Sequence, residues 1–397
     1  MAGASAKVNA ELRLAGFKGA LRFWWRAMGW QRFADLDQVR SEGARIFGDA
    51  TAQSAVLFRL GAGLSQSCSG GDCLPIEVED ETSGEGLLYL GAGLWETVDT
   101  GKSGGRRGAR PTELRVSRAC LPAPFEFTVK MLVRGADGQD VICQELEQSL
   151  KLLGLVGGIG ARSRRGFGSL TLVELRAPAG RVWKAPQTLE ALASELEALK
   201  LFGASGSASN RVPYTAFSKD SRVVLLQGGD NESAAQLLDR VGKEMMRYRS
   251  WGKKGVVLGQ RAEKNFRDDH HLMQSATQGR RVNGHPKRIV FGLPQSYYFS
   301  SLRTGSSVTP SGLDVDRRAS PLLIHIHQVS DERPVAVVTF LPADFLPDGE
   351  EVSVGKKSRV EVKTNETLWE PIHGFLDRLL DASRSVESFD VARELRA

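Results

Sequence analysis

Three arginines and five glycines share the fourteen residues GGIGARSRRGFGSL, from Gly157 to Leu170. Arg162, Arg164 and Arg165 carry forked guanidinium donors that match phosphate oxygens, and the glycines let backbone N–H groups approach the same anion. Phe167, among them, offers a ring for base stacking. The competing reading is a glycine-rich turn with solvated arginines.

Positive charge recurs beside glycine or aromatic residues elsewhere. KSGGRRGARPTELRVSR, residues 102 to 118, holds six basic residues against the single acid Glu113, and WGKKG, RVNGHPKR and DVDRRASP follow in the second half. One such block is ordinarily a solvated face; the recurrence points to a polyanion approached closely by the backbone. In GFKGALRFWWRAMGWQRF, Gly16 to Phe33, a helical turn of 100° per residue places Lys18, Arg22 and Arg26 within about 80° of one another. They form a basic stripe on a helix whose other faces are apolar. Trp24 belongs to the core, whereas Trp25 borders the stripe and is a candidate for stacking on a base.

These residues need elements to hold them. The chain of 397 residues suggests two domains, and its net charge of +6 with a pI near 9.2 agrees with an acidic partner. No apolar run of membrane-spanning length and no signal-peptide pattern is present, so a soluble, cytoplasmic protein without membrane association is expected. Cys68, Cys73, Cys120 and Cys143 read as free thiols, CSGGDC lacks a second ligand pair, and neither a metal nor another cofactor is expected.

Candidate strands are KVNAELRLAG, SAVLFRL, FEFTVKMLV and GSLTLVELR, with helices over about 18 to 33 and at CQELEQSLKLLGLVGG. The order is β-α-β-β-α-β, a ferredoxin-like unit shared with RNA-recognition domains, with an insertion over about 62–122. Beyond the linker RAPAGRVWKAPQ, the stretches RVVLLQG, RIVFGLP, PLLIHIHQV and PVAVVTFLP read as strands. A helix NESAAQLLDRVGKEMMRYRSWG and a C-terminal one from about 366 to 395 accompany them. The expected fold class is therefore α+β, two ferredoxin-like modules in tandem, at 1–185 and 186–397.

The glycine-rich, arginine-bearing loop after the last helix of such a module resembles that of the repeat-associated mysterious proteins (RAMPs) of CRISPR systems. FKGALRFWWRA, ARIFGDA at Ala44 to Ala50 and the Gly157 loop together resemble the first, Cas7-like RAMP subunits of type III-B Cmr effector complexes. RRASPLLIHIH, Arg317 to His327, is similar to their second module. One departure is that no Thr-Pro opening precedes Phe17. The resemblance implies a non-catalytic subunit that caps the assembly near the 3′ region of the guide RNA and helps capture complementary target RNA in antiviral defence. Its partners would be CRISPR guide RNA, target RNA and other Cmr-type RAMP subunits. Carried onto this chain, Lys18, Arg22, Arg26, Arg162, Arg164, Arg165 and Phe167 would contact RNA, with Arg317 and Arg318 as candidates in the second module.

The rival is a metal-independent RAMP endoribonuclease that processes CRISPR precursor RNA. In RDDHH, His270 or His271 would take the 2′-OH proton while Lys264 or Arg267 stabilises the phosphorane. The segment reads, however, as a polar loop. TGKS at Thr100 to Ser103 is no phosphate-binding loop, because the motif requires glycine where Glu96 stands. His325 and His327 share one strand face without an evident third metal ligand, and packing against a helix or RNA is expected of them.

Overall fold

The computed structural model describes residues 10–33, 35–61, 84–99, 112–117, 119–135, 138–202, 212–312, 316–328 and 333–395. Cys68, Cys73, the TGKS stretch and most of the basic insertion lie outside them. In the first half, helices α1 (Leu14–Gly29) and α2 (Leu36–Phe47) precede β1 (Val56–Leu60), α3 (Glu85–Leu90), β2 (Trp95–Asp99), β3 (Thr112–Val116) and β4 (Val129–Val133). Then come α4 (Gln139–Val156), β5 (Glu174–Arg176), β6 (Val182–Lys184) and α5 (Leu189–Ala198). β1 pairs antiparallel with β4, β2 with β3 and β5 with β6.

The second half runs β7 (Arg222–Gln227), α6 (Ala234–Arg249), β8 (Val256–Val257), β9 (Gln260–Arg261) and α7 (Arg267–Thr277). It continues with β10 (Gln295–Phe299), β11 (Thr304–Pro310), β12 (Leu322–Gln328), β13 (Pro334–Phe340), β14 (Glu351–Val354), β15 (Ser358–Glu361), α8 (Glu370–Leu380) and β16 (Val391–Leu395). Two four-stranded antiparallel sheets result, ordered β12-β13-β7-β16 and β10-β11-β14-β15. The first contains strands separated by α6 and α8 in the chain order strand, helix, strand, strand, helix, strand.

That sheet is covered on both faces, which explains why its strands are nearly continuous apolar runs. Val223, Leu225, Leu323, Val335 and Val337 join α1, α4 and α5 in one core. Val224, Leu226, Ile324, Ala336 and Val338 face α6, α8 and the second sheet. α4 serves the first core because Ile142, Leu146, Ser149, Leu153 and Val156 recur at helical spacing along one buried side. α6 starts at a capping box in which Ser233 and Gln236 satisfy each other's backbone N–H groups. Where α3 crosses α6, a Cβ on Gly86 would lie 1.9 Å from the Asp239 carbonyl oxygen and one on Gly242 would lie 2.4 Å from the Gly86 carbonyl oxygen, so close backbone approach requires both glycines.

Several elements depart from the sequence reading. Residues 10–13, expected in a strand, are irregular, and α1 begins at Leu14 because Leu14, Phe17, Leu21 and Trp24 follow helical spacing. Of GSLTLVELR, only Glu174–Arg176 is strand. RIVFGLP holds a 3₁₀ turn, Lys287–Phe291, in place of a strand; a short apolar run does not distinguish the two by periodicity. The terminal helix stops at Leu380, where Ser383 donates both its N–H and its hydroxyl to the Asp381 carboxylate, a local alternative to helix.

Candidate nucleic-acid interface

α1 splits its basic stripe between buried and exposed uses. The Lys18 ammonium lies 5.6 Å over the Phe58 ring, and burial followed by the neighbouring Arg22 lowers its pKa. Arg22 donates to the Gly48 carbonyl at 3.2 Å, which fixes the ARIFGDA turn against the helix. Arg26 is exposed and lies 5.1 Å over Tyr214, whose hydroxyl donates to the Arg26 carbonyl at 3.0 Å. Beside Lys18 an open cleft of about 470 Å³ runs past Phe47, Asp49, Ser54 and Phe58. Trp25 requires a correction: it is 1% exposed, its indole N–H donates to Glu145 at 2.8 Å, and its ring is enclosed by Phe33 and Phe47. Its faces are closed to a base.

The Gly157 loop is more tightly tied than an open phosphate cradle. Ile159 donates to the Gly168 carbonyl at 2.8 Å, and Gly168 has φ +76°, where a Cβ would lie 2.0 Å from the Ile159 oxygen. Arg164 donates to the Ser320 carbonyl at 2.5 Å and lies over Phe23, while its own carbonyl accepts from the Ile324 N–H at 3.1 Å. Arg165 donates to the Phe291 carbonyl at 3.3 Å. Burial pushes both guanidinium groups down to about 10, with Arg318 adding to the effect at Arg164 and Arg249 at Arg165. Phe167 packs edge-on against Trp95 at 5.7 Å. Arg164 and Arg165 latch the loop onto the segment entering β12 and the 3₁₀ turn, and Phe167 packs on β2, a correction to their reading as a phosphate clamp.

Arg162 is exposed, holds φ +64° and donates to the Ala92 carbonyl. In the second half of the chain the pair Arg317 and Arg318 divides likewise. Arg317 is exposed, 4.0 Å from Asp316, whereas Arg318 donates to the carbonyls of Phe345 at 2.6 Å and Asp344 at 3.1 Å, and burial lowers its pKa. Of the sequence-derived residues Arg26, Arg162 and Arg317 are exposed, and Lys18 and Arg22 are half-buried beside the open cleft and the Gly48 turn. Arg165→Ala is expected to cost about 1–3 kcal/mol of stability by leaving the Phe291 carbonyl unpaired, and Arg162→Ala under about 0.5 kcal/mol. Urea unfolding of both variants checks this; equal midpoints would show that the latch carries no weight.

The histidines also separate. RDDHH opens helix α7 and is not a loop, because Phe266, Asp269, Met273 and Ala276 form its buried side. Asp269 there accepts the N–H groups of Lys287 at 2.7 Å and Arg288 at 2.8 Å. His270 stacks on Trp251, and His271 faces solvent 3.4 Å from the Arg267 guanidinium. His325 and His327 are 1% and 0% exposed and share the strand face of Leu323, which packs in the first core. Sequence reasoning missed Arg249 and Arg288, which lie 4.4 Å over Phe291 and 4.6 Å over Tyr297, since arginines in a helix end and a turn look solvated. Cys143 is a free thiol.

Residues 6–171 match the RAMP superfamily. This segment includes α1, the Gly48 turn and the Gly157 loop. No curated protein matches the chain significantly. Among solved structures, Cmr1 from Pyrococcus furiosus in its apo form is 16% identical, with a TM-score of 0.48 over 95% of this chain and 89% of that one. A chain of the type III-B Cmr-beta complex bound to cognate target RNA is 13% identical, with a TM-score of 0.42 over 94% of this chain and 95% of that one. No helix among the described residues is long and apolar enough to cross a membrane.

Proposed function

We propose that this chain is a non-catalytic, RNA-binding subunit of a type III-B CRISPR effector, capping the complex near the guide's 3′ region and helping to hold complementary target RNA. The observation that carries the reading is the RAMP match over 6–171, which spans the basic stripe of α1 and the Gly157 loop. In this reading residues 1–185 and 186–397 are two ferredoxin-like modules. The strand, helix, strand, strand, helix, strand order of the second half, with sheet order β16-β7-β13-β12, supports that assignment there.

Phosphate contacts come from Lys18, Arg22, Arg26, Arg162 and Arg317, and sequence is read by base pairing of the guide and not by side chains. The reading predicts salt-dependent binding of CRISPR repeat–spacer RNA that stays intact in EDTA. Alanine at Lys18, Arg22 and Arg26 together should weaken all RNAs alike and reduce the slope of log affinity against log salt by roughly 0.7 per lost contact. Filter binding over a salt series measures it. Discrete cleavage abolished by His270→Ala or His271→Ala would replace this reading with a processing nuclease.

A further inference from the structure

The segment joining α6 to α7, Ser250 to Phe266, carries Lys253, Lys254, Arg261 and Lys264 against one acid, Glu263. That acid is already engaged, at 2.7 Å by Arg378 and at 2.8 Å by the Asn265 amide. All four cations are exposed. Arg261 lies in the β8-β9 hairpin, and Lys253 and Lys254 sit in the turn just before it, closed by the Lys253–Val256 bridge with Lys254 at φ +55° and Gly255 at φ +76°.

At the base of this hairpin sits a ring stack. Trp251 and His270 lie face to face, centroids 3.9 Å apart and planes within 13°. The Lys264 ammonium is 5.1 Å from the indole centroid, and His271 meets His270 edge-on at 5.5 Å. Trp251 is half-buried. Burial, then His271, Arg288 and Lys264, holds His270 below its ordinary pKa, so its imidazole is a neutral ring at neutral pH.

We propose that the Trp251–His270 stack and the lysines around it form a second contact for single-stranded RNA, separate from α1 and the Gly157 loop. A base extends the stack while Lys253, Lys254 and Lys264 take the flanking phosphates. The inference rests on the RNA-binding reading. Ring and cation together favour a single strand over an acidic peptide, which has carboxylates but no bases, and over a duplex, whose bases are already stacked.

The test is fluorescence anisotropy of the full chain with a labelled single-stranded oligoribonucleotide and with its duplex. Trp251→Leu should weaken single-strand binding about tenfold or more, with the duplex unchanged and Trp251→Tyr close to the parent. Lys264→Ala, a surface change that spares the fold, should lower the salt slope by roughly 0.7. If Trp251→Leu and Lys264→Ala bind like the parent while the Lys18, Arg22 and Arg26 variant is weakened, this second contact is wrong and the RNA-binding reading survives. If the parent chain binds no RNA, both fall. Equal competition by polyglutamate would assign the surface to an acidic protein instead.

Discussion

Glu244→Ala is expected to destabilise the protein by about 3–5 kcal/mol, the range for removing one partner of a buried charge network. Glu244 is fully buried and accepts from Arg378 Nε at 2.6 Å, from Arg247 at 3.3 Å and from the backbone N–H groups of Val386 and Glu387 at 2.8 and 2.6 Å. The carboxylate therefore fastens α6, α8 and the segment leading into β16 to one point. Arg247 keeps Glu387 and Arg378 keeps Glu263 when Glu244 is lost, so the guanidinium groups retain partial compensation. The two orphaned N–H groups do not. Glu244→Gln, which keeps an acceptor but removes the charge, should fall between parent and alanine. Urea midpoints decide the matter: a loss below about 1 kcal/mol for alanine would show that the segment before β16 finds other partners.

What the sequence revealed follows from how local each signal is. β7, β12 and β13 were legible because strands buried on both faces are unbroken apolar runs such as RVVLLQ and LLIHIHQ. The sheet β10-β11-β14-β15 was not foreseen, because TGSSVTP is polar and only Val308 in β11 is fully buried. α1 was recognised from its apolar spacing, yet the fate of its Trp25 depends on Glu145, 120 residues away. The Gly157 loop shows the same division. Its glycine requirement is local and could be read, whereas the carbonyls that claim Arg164 and Arg165 belong to Ser320 and Phe291, on segments brought in only by folding. Short-range spacing thus identified cationic elements correctly and could not say which cations remain free. The exposed remainder, Arg26, Arg162 and Arg317, is where the proposed RNA contacts should be tested first.

Acid is expected to weaken the fold through His325 and His327, and to do so where the Gly157 loop is anchored. His325 Nδ1 faces the Gly157 carbonyl at 2.6 Å; a carbonyl only accepts, so the neutral ring donates from Nδ1. Burial pushes His325 down to about 3, helped by His327 and opposed by the Gly157 carbonyl, and pushes His327 down to about 4. Unfolded, each titrates near 6.5. Above that pH both states carry neutral imidazoles and the pair adds no pH dependence. As pH falls from about 6.5 towards the folded values, only the unfolded chain takes up protons, and stability drops by roughly 1.4 kcal/mol per pH unit for each histidine. Between about pH 7.5 and pH 5 the pair should account for a loss of roughly 4 kcal/mol. His327 is fully buried, with the backbone of Pro186 and Gly154 opposing the effect of burial on its pKa, and His327→Leu should remove about half of that loss whatever it costs at neutral pH. Urea unfolding of parent and variant at the two pH values isolates this contribution from every other titrating group. A stability difference between them that does not change with pH would mean that these histidines are not the groups through which acid loosens the loop's anchor.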